Sequence, residues 1–428
     1  MAEDRIVLCR EPPSHIPTLA AFRGLSQIIF NGTMASPQGH PFWMHLLSYL
    51  PNLAHAKDVL DATGPCVLTS AHASFADKDS LVVHPSDLFA LLDNKGQPDL
   101  EKEPSGLGSL SIHHWAGTWW KSHPKPTLWS VFRREFYRSQ YLLTRGKQLH
   151  LAEARRRVDT AVLDRPPPSG ENLAILVPLR DAAEHIAPFL SAIQALDYPR
   201  ERVKLVFCEG DSQDGSWDVL QAAVEPLRAG FRDIVLLQQR VGTKFEREER
   251  AKRRLQRKRR SGLAKVRNHL IRHGLDDNDD WALWIDIDVW KFPADIVRTL
   301  VATGHRIVVP NCVKVAGGDS FDLNSFATKG SERDYRYYRS TIGGLYQPPP
   351  EFFHRLYLSD VRHLDKIALD GVGGTMLLVD ASLHRGGLVF PEVPYRDYVE
   401  TEGFGVLAKD LGVVPVGLPR VEIFHVPW

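Results

Sequence analysis

The segment Trp284-Ile-Asp286-Ile-Asp288-Val289 sets two carboxylates two residues apart, directly after an apolar run. At the end of a strand that turns, both side chains can face one site. Carboxylate oxygens are hard ligands that suit Mg2+ or Mn2+, and these ions bind phosphate oxygens in turn. A diphosphate leaving group needs that neutralisation of charge. An ordinary surface loop also carries such acids, so the reading depends on what surrounds the pair. Asp211 opens Asp-Ser-Gln-Asp-Gly215, which is strong turn chemistry, and it could also accept hydrogen bonds from a base or ribose. Asp370-Gly-Val-Gly373-Gly374 lets backbone approach a ligand closely, although it lacks the spacing of the dinucleotide fingerprint. Glu400 and Glu402 flank Thr401. In an extended loop they would share a face for hydroxyl binding or acid–base work. In a helix they would be first-turn acids favoured by the dipole.

These residues need a scaffold, and the last 260 or so residues supply a pattern for one. Short apolar runs at Leu173–Val177, Val203–Cys208, Asp233–Leu237, Trp281–Ile285 and Arg306–Val309 alternate with helix-like stretches. That alternation argues for an α/β protein with a parallel sheet covered on both faces. In such sheets the ligand sits beyond the carboxyl ends of the strands, where Asp286 and Asp288 fall. Upstream, Arg165-Pro-Pro-Pro-Ser-Gly170 cannot continue a helix and marks a boundary. The stretch before it, 126–163, reads as helical with a break near Gly146. The expected organisation is a smaller accessory region over 1–125, a helical connector and Pro-rich linker over 126–170, and a catalytic domain over 171–428.

Composition narrows the class. The chain has 428 residues, a formal net charge of +1, 43% hydrophobic and 25% charged residues, as in an ordinary globular protein. Cys9, Cys66, Cys208 and Cys312 are far apart, which speaks against a zinc site or a disulfide framework and fits a reducing compartment. No run of about 18 apolar residues is present, and the N-terminus lacks the apolar core of a signal peptide. Lys244–Arg272 carries 13 Lys and Arg against three Glu. It reads as a solvated helix face, with Glu248 and Glu249 near Lys252 and Arg253, or as a segment that steers an anionic donor or touches an anionic membrane. Aromatic residues are not interleaved with it as stacking platforms would be, so nucleic acid is not an expected partner.

Taken in order, several segments resemble the fungal mannan-polymerase family of Golgi α-mannosyltransferases, glycosyltransferase family 62. They are Leu176-Val-Pro-Leu-Arg-Asp-Ala-Ala183, Leu196-Asp-Tyr-Pro199, Glu209-Gly-Asp-Ser-Gln-Asp-Gly-Ser216, Ala264-Lys-Val-Arg-Asn268 and the Asp286/Asp288 pair. Val309-Pro-Asn-Cys312, Phe321-Asp-Leu-Asn-Ser325, Asp370-Gly-Val-Gly-Gly-Thr375, Glu400-Thr-Glu-Gly-Phe404, Val416-Gly-Leu-Pro419 and His425 follow. The resemblance covers 172–425 and implies a GT-A type nucleotide-diphospho-sugar transferase fold, a GDP-mannose donor, Mn2+ (or Mg2+) and retention of anomeric configuration. It implies that Asp286, Asp288 and His425 hold the metal, and that Pro178, Leu179, Arg180, Asp211 and Asn268 border the nucleotide and ribose. Arg267 is the candidate for the donor's phosphates. Asp370, Gly373, Gly374 and Asn311 are candidates for sugar or acceptor, and Glu400 and Glu402 for hydroxyl binding or catalysis. Either the acceptor hydroxyl attacks on the face the diphosphate leaves, or Glu402 serves as nucleophile in a double displacement.

The N-terminal part, through Asn31–Phe42, Thr63-Gly-Pro65 and Ser111–Trp119, resembles the rear half of glycosyltransferase family 32. The front half and its Asp pair are missing, and Asp77-Lys-Asp79 falls in the wrong order. Either this is a remnant packed as an accessory domain or the natural start lies upstream. His113 and His114 are then structural. The fungal pattern has a Golgi anchor, and none is seen, so the expectation is a cytoplasmic enzyme, peripheral at most to a membrane. Its expected partners are a nucleotide sugar, a glycan or glycolipid acceptor, and other subunits in a homo- or hetero-oligomer. A catalytically silent sugar-nucleotide-binding subunit of a glycosyltransferase complex is the first alternative, and a polyanion- or nucleic-acid-binding protein acting through the basic block at 244–272 is the second.

Overall fold

Leu173, Ile175 and Val177 point to one face of their strand and Ala174 and Leu176 to the other, and all five are fully buried. A strand apolar on both faces has to sit in the middle of a covered sheet, and this one does. The computed structural model describes residues 4–20, 23–93, 95–115, 128–242, 249, 252–328, 333, 335–349 and 355–426. Residues 243–248 and 250–251 of the basic block, with Glu248, and 116–119 of the His/Trp segment lie outside the described residues. The chain forms two units, one of 1–125 with 356–368 and one of 126–355 with 369–428. The stretch 126–170 is therefore part of the second unit rather than a separate connector.

In the first unit, β1 (Ile6–Cys9) pairs in parallel with β2 (Leu81–His84). The helices α1 (Pro41–Leu47), α2 (Val59–Ala62) and α3 (Pro65–Ser74) lie between them in sequence. Ile6, Leu8, Ile29, Phe42 and Leu68 make one apolar core. Arg23 reaches Asp61 with Nε on Oδ1 (2.7 Å) and Nη2 on Oδ2 (2.5 Å), and His363 Nε2 lies 3.3 Å from the same carboxylate. Burial alone would raise the Asp61 carboxyl, but the Arg23 fork and His363 outweigh it and hold it down at about 2. His113 packs edge-on against Phe30 and Trp115, as a structural histidine does. Asp77 and Asp79 are exposed.

The second unit begins with α4 (Leu128–Thr144) and α5 (Leu151–Arg157), separated at Gly146, whose φ of 62° a helix cannot accommodate. Strands β3 (Leu173–Leu179), β4 (Val203–Glu209) and β5 (Asp233–Gln238) follow, alternating with α6 (Ala183–Gln194) and α7 (Ser216–Val224). Next come α8 (Gln256–Gly274), β6 (Trp281–Ile285), α9 (Ile296–Val301), β7 (Ile307–Val313) and α10 (Tyr335–Ser340). The unit closes with β8 (Met376–Asp380), α11 (Ala381–Arg385), α12 (Glu400–Asp410) and β9 (Val416–Phe424).

Across the sheet these strands lie in the order β9-β7-β8-β6-β3-β4-β5. Strands β3, β4, β5 and β6 are mutually parallel, and β9 is parallel to β7. Only β8 runs against its neighbours, β6 and β7. The carboxyl ends of six strands and the start of β8 therefore share one edge. Pro178 is tolerated inside β3 because the β6 ladder has already ended at Leu176↔Trp284. Among the described residues no helix is long and apolar enough to cross a membrane.

Candidate active site

The segments that leave the strands at that edge, with the loop that enters β8, carry most of the side chains that the sequence singles out. The turn after β6 carries Asp286 and Asp288. Asp286 N donates to Thr375 O at the start of β8 (3.1 Å), and Val289 N donates back to Asp286 O (2.9 Å), so the chain turns at once after the strand. Arg267 rises from α8, buried over Trp284 and Phe390 with its guanidinium carbon 5.4 and 5.6 Å from the ring centres. Its Nη2 donates to Asp286 Oδ1 and its Nε to Glu400 Oε1, both at 3.0 Å. The third nitrogen, Nη1, is buried and has no hydrogen-bond partner among the described residues.

The pair's second acid meets the end of β9. His425 Nε2 lies 3.3 Å from Asp288 Oδ2, while its Nδ1 donates to Val426 O (2.7 Å) and its ring packs at a tilt on Phe321, with centroids 4.0 Å apart. Burial disfavours the imidazolium, but the contact with Asp288 outweighs it and raises the His425 pKa. Asp288 Oδ1 is buried and accepts no hydrogen bond from the described residues. Burial pushes the Asp286 carboxyl up, Arg267 pulls it back, and Asp288, Asp322 and Glu400 push it up again. Three further carboxylates thus act on Asp286 against one guanidinium, a surplus of negative charge that favours a cation. Among the described residues no three His, Cys, Asp or Glu side chains converge as a ready-made ligand set, because Asp286 Oδ1 is held by Arg267 while Asp288 meets His425.

Asp322 is a site acid to which sequence reasoning assigned no role. It follows β7, and its Oδ2 accepts from Thr375 Oγ1 (2.9 Å) and Thr375 N (3.3 Å). Its only signal was its place in Phe321-Asp-Leu-Asn-Ser325. Gly373 and Gly374 thread between this acid and Arg267. A Cβ on Gly373 would strike the Asp322 carboxylate, and one on Gly374 would strike the Arg267 guanidinium.

Glu400 and Glu402 open α12, so the helical reading is the one found. They still do more than face a dipole. Glu402 is 2% exposed, with Oε1 on Arg355 Nη1 (3.0 Å) and Oε2 on Arg260 Nη1. Arg260 lies in the basic block, where it read as one of many surface cations, and Arg355 gave no sequence signal at all. Glu400 has a φ of 57°, a left-handed value that costs a non-glycine residue energy and is found where a site over-determines it.

The loops after β3, β4 and β5 are laced together. Leu179 ends β3 and Arg180 follows, with its Nε 3.5 Å from Asp181 Oδ2. Asp181 N donates to Ser212 Oγ (3.0 Å), and Asp181 Oδ1 accepts from Gln213 N (2.9 Å). Asp211 Oδ2 accepts from Val241 N and Gly242 N, both at 2.9 Å. Its carboxylate therefore fixes the loop after β5.

Three further candidates are spent on the protein itself. The Asn268 amide donates to Phe390 O (2.9 Å) and Glu392 Oε1 (3.0 Å) and accepts from Phe390 N (3.0 Å). Asn311, fully buried in β7, joins Pro419 O (3.3 Å) and Ser320 Oγ (2.8 Å). Asp370 takes Thr328 N and Lys409 Nζ, both at 2.6 Å.

A mostly parallel sheet with an acid-rich site beyond its carboxyl edge defines an α/β fold of the GT-A type. The chain belongs to the Anp1 family, whose model matches residues 163–394. Its relatives include the mannan polymerase complex subunit mnn9 of Schizosaccharomyces pombe, 31% identical over 60% of this chain and 80% of that one. The mannan polymerase II complex ANP1 subunit of Saccharomyces cerevisiae is 27% identical over 60% of this chain, and the match spans 55% of that relative's length. Among solved structures, a mannosyltransferase of Pyrobaculum calidifontis in complex with GDP-Man and Mn2+ aligns at 17% identity and a TM-score of 0.36, over 69% of this chain and 67% of that one.

Proposed function

We propose that this chain is a metal-dependent retaining glycosyltransferase that transfers a hexose, mannose from GDP-mannose, to a glycan or glycolipid acceptor as a subunit of a larger assembly. One observation carries the reading: beside Asp286 lie a buried carboxylate oxygen, Asp288 Oδ1, and a buried guanidinium nitrogen, Arg267 Nη1, neither of which has a hydrogen-bond partner among the described residues. Orphaned buried groups of opposite kind are costly unless a ligand completes both. A divalent cation fits the first, and a phosphate or sugar oxygen fits the second. Family membership and the subunit names of the relatives support the sugar class.

Asp288 and His425, with Asp286 beside them, would hold Mn2+ (or Mg2+), which when bound neutralises a diphosphate and makes it a better leaving group. Arg267 offers Nη1 to the departing phosphate oxygens, and Glu400 fixes the plane from which it does so. The backbone of Gly373 and Gly374 can approach the sugar because neither carries a Cβ. Arg180 and the loops tied by Asp181 and Asp211 border the nucleoside. Both oxygens of Glu402 are committed to Arg260 and Arg355. A carboxylate held in this way is a poor nucleophile, which favours attack by the acceptor hydroxyl on the leaving-group face. The hydroxyl proton then passes to a phosphate oxygen of the leaving group. Calorimetric titration with GDP, GDP-mannose and UDP, with and without Mn2+, tests the donor assignment. Metal-dependent binding of the guanosine ligands is the expected result, and preference for UDP would discard GDP-mannose.

The second reading is a donor-binding subunit that does not turn over. The relatives' names as complex subunits favour it, and donor hydrolysis separates the two.

A further inference from the structure

Helix α4 rests on the second unit along one stripe only. Arg133, Tyr137 and Tyr141, spaced by four, are its covered or half-covered positions. The Arg133 guanidinium carbon lies 4.4 Å above the Tyr335 ring of α10, and Tyr137 stacks on that ring at 6.5 Å. Tyr141 OH donates to Asp397 Oδ2 (2.9 Å). The opposite side is largely apolar, interrupted by Ser139, and open to solvent. At 100° per residue, Leu128, Phe132, Phe136 and Leu143 fall within about 80° of one another. They are 92%, 60%, 49% and 86% exposed. Trp129 stacks on Phe132 at 5.6 Å, and Phe132 on Phe136 at 6.4 Å, so the rings form one ridge along the helix.

An exposed ridge of this kind marks a surface that meets something apolar. Its flanks say what. Arg134 and Arg138 border it, and the acid among them, Glu135, is already within 3.1 Å of Arg138 and 3.9 Å of Arg134. The margin is left net positive. A convex strip of Trp, Phe and Leu edged by arginines suits the boundary between headgroups and acyl chains, where the long arginine stems can reach back to anionic headgroups. Seventeen residues, about 25 Å of helix, with three arginines among them can lie on a bilayer but not span it. We propose that the outer face of α4 is a membrane-interface anchor that seats the chain on an anionic lipid surface.

The test is co-sedimentation of the full chain with vesicles of phosphatidylcholine alone and of phosphatidylcholine with phosphatidylserine. Binding to the anionic vesicles, weakened by salt, is the expected result. The double variant Phe132→Asp/Phe136→Asp should lower partitioning roughly tenfold or more. Arg134→Gln/Arg138→Gln should lower it on anionic vesicles selectively. Because these side chains are exposed, thermal unfolding should not move, which separates lost binding from lost fold. Absence of vesicle binding, or binding that the phenylalanine variant does not change, overturns the proposal. So does concentration-dependent self-association that the same variant abolishes, since a second copy would then cover the face.

Discussion

Arg267 reaches Asp286 with one nitrogen and Glu400 with another, while a third has no partner among the described residues and can meet a ligand. Lysine keeps the charge but has no fork, so Arg267→Lys cannot hold all three directions at once. Turnover should fall by about 10²-fold or more, with donor affinity falling less, as measured by steady-state kinetics on the donor. An unchanged kcat would remove Arg267 from the chemistry. Gly374→Ala makes the same point from the other side. The added methyl meets the guanidinium, so Arg267 must shift, and activity should drop strongly for a stability loss of about 1–3 kcal/mol. Near-native activity in this variant would mean that the guanidinium position is not critical. At this scale the sequence was a partial guide. The Asp286/Asp288 pair stands out locally, whereas His425 is singled out by the family resemblance alone, and the structure brings Asp288 and His425 together. The partners of Glu402 lie 142 and 47 residues away, and no local pattern encodes them. Asn268, Asn311 and Asp370 have the right chemical types for sugar binding but point their hydrogen bonds inward, and residue type alone does not give that direction.

The elements that carry the site are held by a few buried polar contacts whose protonation matters. Trp284, in β6, donates its indole N–H to His384 Nε2 (3.0 Å), while His384 Nδ1 donates to Leu388 O (2.8 Å). The ring is therefore a neutral tautomer with both nitrogens used. Burial pushes its pKa down to about 4 from the ordinary 6.5. Below 6.5 the unfolded chain binds a proton that the folded ring refuses, so this contribution is full above pH 6.5 and is lost as pH falls toward 4. The loss is on the order of 3 kcal/mol. Urea unfolding across that window should show it, and His384→Leu should flatten the slope. An equal slope in the variant would place the titration elsewhere. Sequence periodicity located β3, β4, β5 and β6 to within two residues, and found the start of β7 but not its extension to Val313. It missed β8 and β9. Met376–Asp380 follows glycines that read as a ligand loop, and Val416–Phe424 contains Gly417 and Pro419 and shifts register between Leu418 and Glu422. A strand that breaks its own alternation is invisible to a period-two search.

At the scale of the molecule, the chain leaves the second unit at residue 356 to complete the first and returns at 369. Proline-rich sequence at 165–168 marks a stiff stretch, but it does not reveal that excursion, which depends on contacts between distant residues. Asp61, buried against Arg23 and His363, fastens the returning segment. Arg23→Met would strand that carboxylate in the interior and cost about 3–5 kcal/mol. We expect an earlier unfolding transition for the first unit, followed by denaturant titration of the full chain. Arg23→Met/Asp61→Leu should recover much of the loss, and equal instability of both variants would show that the charge pair is not the cause.

The central claim is that the acid edge of the sheet binds a metal and turns over a nucleotide sugar. Donor hydrolysis by the full chain, across a panel of nucleotide sugars with Mn2+ and with chelator, tests it most directly when run beside Asp288→Ala. The expected result is chelator-sensitive turnover of GDP-mannose that falls by about 10²-fold or more in the variant. Full activity of Asp288→Ala would contradict the metal assignment, and no turnover of any donor by the unaltered chain would contradict the enzyme.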